Sequence, residues 1–175
     1  FVFPQSSLGK LEATECFTRE GRFEVPYSVS VPPHILLDAS RRFAVFSNEF
    51  LAVPARQVGI SGSAKAEETL RALSLFLSSD FCTYHQFLTS PQWGIDMNRA
   101  DLHALLKMPV PINRLSSAEI REWANVQMEL AEVSKDSTAK TGPFIAAIND
   151  RVYSLLGIKN AERWVVEDFV RLHLE

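Results

Sequence analysis

Short apolar runs broken by proline and glycine fill the first third of the chain. Val29-Ser30-Val31 alternates and stops at Pro32-Pro33. His34-Ile35-Leu36-Leu37 follows, then the turn-like Asp38-Ala39-Ser40 and the exposed pair Arg41-Arg42. Phe43-Ala44-Val45-Phe46, Leu51-Ala52-Val53 and Val58-Gly59-Ile60 continue the series. Runs of this length and spacing predict strands of an antiparallel or mixed sheet.

The period changes after Gly62. Leu70, Leu73, Phe76 and Leu77 recur at helical spacing, with Glu67, Glu68 and Arg71 on the other side. Ser78-Ser79-Asp80 offers a break and a cap. A second helix is expected from about Asp80 to Leu88, ended by Pro91 and Gly94. A short helix from Asn98 or Arg99 to Leu106 leads into Pro109 and Pro111. Ser116-Ser117-Ala118-Glu119 is a capping box before a helix to about Val133. Pro143 suits a first helical turn, and Ile145, Ile148 and Val152 make a stripe that stops at Gly157. Asn160 can cap a last helix with a stripe of Val165, Phe169 and Leu172, and with Trp164 beside it. The pattern predicts an α+β protein. A small sheet packed with helices occupies residues 1–113, and a helical segment occupies 114–175.

Composition narrows the classes. A hydrophobic content of 46%, with 12 Phe and 3 Trp, favours a folded core over disorder. No apolar run is long enough to span a bilayer. The start, Phe1-Val2-Phe3-Pro4, has no basic n-region and reads as the cut edge of a longer polypeptide. Two cysteines, Cys16 and Cys82, cannot make a dense disulfide framework, so a cytoplasmic setting is expected. No metal-ligand spacing is complete, and no metal site is expected. A net charge of −3 excludes an overall basic nucleic-acid binder. A local basic patch remains open.

Several segments resemble one family when taken in order. Pro33-His34-Ile35-Leu36-Leu37 is similar to a Pro-x-Ile-Leu strand, and Phe43-Ala44-Val45-Phe46-Ser47 to the strand after it. Val58-Gly59-Ile60-Ser61-Gly62 resembles a Gly-Ile-x-Gly strand end. Leu73 to Ser79 resembles an apolar helix ending in Asn-Ser-Ser, with Leu77 where Asn often stands. Leu88 to Arg99 resembles a loop carrying Trp-Gly and an Arg, with a Leu-Pro-x-Pro exit matched near Met108-Pro109-Val110-Pro111. Asn149 to Ile158 is similar to an Asn-x-x-Val-Tyr-x-Leu-Tyr-Gly-Leu helix, with Leu156 for the second Tyr. The family is the N6-adenine DNA methyltransferases of restriction-modification systems, and the likeness is to their C-terminal target-recognition region.

The resemblance implies a specificity piece without the methyl-transfer centre. The family's catalytic half carries a Gly-rich loop for S-adenosylmethionine and an (Asn/Asp)-Pro-Pro-(Tyr/Phe) turn for the flipped base. Val31-Pro32-Pro33-His34 has the prolines but not the flanking groups. No catalytic or cofactor residue is therefore expected here, and S-adenosylmethionine would belong to a catalytic domain of the same parent chain. Double-stranded DNA and that domain are the implied partners, and no membrane is expected as a partner.

Arg41, Arg42, Arg56, Lys65, Gln92, Trp93, Asn98 and Arg99 are the candidate DNA-contacting residues. Cations at turns can grip phosphates, whereas loop amides can read base edges. Each has a plainer reading. Arg41 and Arg42, or Arg56, Gln57 and Lys65, can be solvated turns. Trp93 can be a wedge that fixes its loop. Arg99 can pair with Asp96 or Asp101. A different class also fits: a protein-interaction or architectural module, open to self-association through the C-terminal helices. A third, more distant reading is a hydrolase built on Cys82 and His85, three apart on one helix.

Overall fold

A computed structural model describes residues 29–37, 44–51, 53, 57–90, 102–136 and 141–173. Three strands, β1 (His34–Leu37), β2 (Ala44–Ser47) and β3 (Val58–Ser61), form an antiparallel sheet in the order β2-β1-β3. Among the described residues six α-helices follow: α1 (Glu67–Leu77), α2 (Asp80–Thr89), α3 (Leu102–Leu106), α4 (Ser117–Val133), α5 (Gly142–Leu156) and α6 (Asn160–His173). The class is α+β, and the sheet is purely antiparallel.

Register puts one apolar set on one face. Ile35 pairs with Phe46 and Ile60, and Leu37 pairs with Ala44 and Val58. Alternate residues share a face, so these six side chains meet α1 together and join its core. The other face is covered as well. A Cβ on Gly59 would lie 2.8 Å from both the Cβ and the carbonyl oxygen of Val29, and 3.0 Å from Val53. The incoming chain therefore lies directly against the sheet, and glycine is required for close approach rather than for an unusual torsion. Leu36, on that second face, is half-buried, and a central strand covered on both sides reads as a near-continuous apolar run, as Ile35-Leu36-Leu37 does.

Val29–Val31 is turn rather than the strand its alternation suggests, and Leu51 and Val53 pair in no strand. Ser30 explains this. Its carbonyl accepts from Leu51 N–H at 3.3 Å, and its buried hydroxyl accepts from Val53 N–H at 3.4 Å. The two segments clasp one another across the sheet face instead of extending it.

Helix boundaries follow local chemistry. Ser116 and Glu119 form a reciprocal capping box at α4. Gly157 ends α5 with φ 71°, a left-handed conformation that favours glycine. Asn160 does not cap α6; Lys159 holds that position, and its N–H donates to the Glu162 carboxylate at 2.7 Å. α4 lies along α1, and α2 packs on α6 and α5. One buried cluster runs from Ile35 and Leu37 through Leu70 and Phe76 to Trp123 and Ile148. Residues from both sides of Asn113 share it.

The turn between α1 and α2 joins three layers. Ser78 Oγ accepts from Ala44 N–H of β2 at 3.1 Å and donates to the Ser74 carbonyl at 2.8 Å. Ser79 Oγ caps α2 by accepting from Cys82 N–H at 3.3 Å. Asn149 of α5 accepts from Asp80 N–H at 2.9 Å and donates to the Asp80 carboxylate at 2.7 Å.

Gly59→Ala is expected to destabilise the protein by about 1–3 kcal/mol, because backbone must move to admit the methyl. Urea denaturation measures this. An unchanged midpoint would mean that the Val29 segment does not pack on the sheet.

Candidate nucleic-acid interface

Lys65 is the candidate DNA contact that falls among the described residues. Arg41, Arg42, Arg56, Gln92, Trp93, Asn98 and Arg99 lie outside them. Lys65 is exposed on a 3-10 turn, Ala64–Ala66, between the end of β3 and α1. The carboxylates that follow it are already engaged. Glu67 accepts from Asn48 Nδ2 at 2.9 Å and from Arg71 Nη2 at 2.8 Å. The Asn48 bond first, and then Arg71, hold its carboxyl below the usual range. Glu68 pairs with Arg121.

The described cations divide cleanly. Arg71, Arg121, Lys135, Arg151, Arg163 and Arg171 each have a carboxylate within ion-pair distance. Lys65, Lys107, Arg114 and Lys159 have none among the described residues, and all four are exposed. Lys107 and Arg114 carry no motif that marks them in the sequence. Their signal is charge spacing, since no carboxylate occurs between Asp101 and Glu119.

Arg71 takes a different role from the outward one its spacing suggests. Its side chain is only 15% exposed. The guanidinium donates to Gln127 Oε1 of α4 at 2.6 Å and lies 4.1 Å from the Phe46 ring centre. It therefore clamps α1 between α4 and β2 and is not open to a ligand.

Cys82 and His85 do not form a nucleophile pair. Cys82 is fully buried, and its thiol donates to the Phe76 carbonyl at 3.0 Å. Burial pushes the thiol up to about 12, so the reactive thiolate is suppressed. His85 lies against Phe81, and burial lowers its pKa, which favours the neutral ring. His34 is equally committed. Its ring is buried, with Nδ1 2.9 Å from the Val29 carbonyl and Nε2 3.0 Å from the Glu49 carbonyl. It has no free face for stacking on a base. The described residues around Pro32-Pro33-His34 thus do not fit a base-holding turn.

The α6 stripe is turned relative to expectation. Val166 is buried, and Phe169 packs on Tyr84 and Phe87 of α2. Trp164, Val165 and Leu172 are exposed. Among the described residues no helix is long and apolar enough to cross a membrane, and no group of His, Cys, Asp and Glu is placed to hold a metal. Comparison with protein-family models, with curated proteins and with solved structures finds no match to this chain.

Cys82 should resist iodoacetamide in the native protein at about pH 8.5, where an ordinary thiol is half ionised, and should react once the protein is denatured. Peptide mapping separates it from Cys16. Labelling of the native Cys82 peptide would contradict the burial argument.

Proposed function

We propose that this chain is the DNA target-recognition part of an N6-adenine-specific DNA methyltransferase. In this reading it positions double-stranded DNA for S-adenosylmethionine-dependent methylation by a catalytic domain of the same parent chain. Its own residues bind and orient DNA, and they carry no bond-making step.

One observation carries the reading. Segments that resemble the family separately meet at a single place. The Leu73–Ser79 segment contacts the Ala44 strand through Ser78, and Asp80, the next residue, binds Asn149 of the Asn149–Ile158 segment. The Pro33–Leu37 and Val58–Ser61 segments are neighbouring strands of the same sheet. Residues far apart in sequence thus belong to one packed unit, as a shared scaffold requires. Free Lys65 at the edge of that unit is the electrostatic complement, since phosphate contacts set register while loops read bases. Loops on a rigid scaffold can vary in sequence without disturbing its core.

The exposed Trp164, Val165 and Leu172 face favours a second reading, a module that docks domains or subunits. It is compatible with the first, because the recognition piece must also hold its catalytic partner.

The chain is expected to bind labelled mixed-sequence duplex DNA with an affinity that falls steeply between about 50 and 200 mM salt. Lys65→Ala should lower the log–log salt slope by about one. Absence of binding at the low-salt end, or binding indifferent to salt, would contradict the proposal and leave the docking reading.

A further inference from the structure

We infer that His34 is a pH-sensitive latch: its buried ring carries a proton on each nitrogen and, as an imidazolium, ties two chain segments over the second face of the sheet. His34 opens the otherwise apolar run of the central strand β1. Its side chain is fully buried, so its polar atoms need partners inside the protein. Ile35 and Leu37 face α1, and alternation turns His34 to the opposite face, where the chain around Val29 lies.

The partners decide the protonation state. Nδ1 lies 2.9 Å from the Val29 carbonyl oxygen, and Nε2 lies 3.0 Å from the Glu49 carbonyl oxygen. Both partners can only accept. A neutral imidazole has one N–H and one bare lone pair, whereas the imidazolium donates from both nitrogens. In either neutral tautomer one ring lone pair faces a carbonyl lone pair at hydrogen-bond distance. Turning the ring over puts carbon atoms against both carbonyls and loses both bonds. Only the imidazolium satisfies the two contacts together. Burying a cation costs free energy, but hydrogen bonds from a charged donor are roughly twice as strong as neutral ones. No cation opposes the charge: among the described residues up to Ser61, Glu49 is the one titratable residue besides His34. Glu49 is exposed, and its charge has the sign that favours an imidazolium.

Val29 and Glu49 belong to the two segments that Ser30 clasps through Leu51 N–H and Val53 N–H. His34 therefore adds a link from the strand beneath to each side of that clasp. The Glu49 carbonyl also accepts from the Ser47 hydroxyl at 3.2 Å. Loss of a ring proton thus opens one side of the latch without orphaning that oxygen. The sign follows from linkage. An unfolded histidine binds its second proton below about pH 6.5. A fold that uses this proton is stabilised in acid, and the stabilisation is lost as pH rises and the folded ring releases it. The latch is independent of what the chain binds.

NMR of the ring nitrogens in the full, isotope-labelled chain tests the first half. His34, assigned through its backbone, should show a proton on each nitrogen at about pH 7.5, where about nine in ten ordinary histidines are neutral. One bare nitrogen at that pH would overturn the inference. Amide exchange of Leu51 and Val53, corrected for its intrinsic rise with pH, tests the second half. Their protection relative to Leu75 of α1 should fall roughly tenfold or more once NMR shows the second proton gone, as loss of one charge-assisted hydrogen bond requires. In His34→Gln, which has no proton to lose there, the relative protection should not change with pH. Equal relative protection in the wild type before and after deprotonation would overturn the latch. A ring that keeps both protons to about pH 9 would equally show that no switch exists. Should His34→Gln fail to fold, the wild-type comparison decides by itself.

Discussion

The turn Ser78-Ser79-Asp80 is the constraint on which the architecture depends. Three consecutive residues there engage three different elements. Ser78 holds the edge strand β2, Ser79 starts α2, and Asp80 locks onto Asn149 of α5. Backbone groups at the start of a helix need partners, and a buried donor without one costs about 1–3 kcal/mol. The turn supplies partners from elements distant in sequence, so its local geometry fixes the relative position of sheet and helices. Arg71 reinforces the same layer about two turns earlier through Gln127 and Phe46.

Among the described residues, Cys82, Tyr153 and His34 are buried titratable side chains. Cys82 donates to a backbone carbonyl, and Tyr153 is pushed up by burial first and then by the Asp80 charge. The His34 ring sits between two backbone carbonyls. Among the described residues, the exposed surface carries both cations without a carboxylate partner, such as Lys65, and apolar side chains, such as Trp164 and Leu172.

Much of the fold was legible because the helices are long and sharply punctuated. The Ser116–Glu119 box and Gly157 mark boundaries through local hydrogen bonding alone, and those survive in any tertiary context. Val29–Val31 misled because alternation over three residues cannot distinguish a strand from a turn held by Ser30. On α6 both sides of the helix carry large apolar residues, and periodicity cannot choose between them. The rings of Tyr84 and Phe87 decide it by accepting Phe169. Arg71 looked solvated because its partners Gln127 and Phe46 come from elsewhere in the chain. Of the candidate contacts, Lys65 was legible as a turn cation.

Amide hydrogen exchange on Asn149→Ala tests the joint most directly, because it reads each element separately. Removing the Asn149 side chain should cost protection at the start of α2 and, through the shared turn, in β1 and β2 together. Loss confined to the first turn of α2, with the sheet as protected as in the wild type, would show that the turn does not couple the layers.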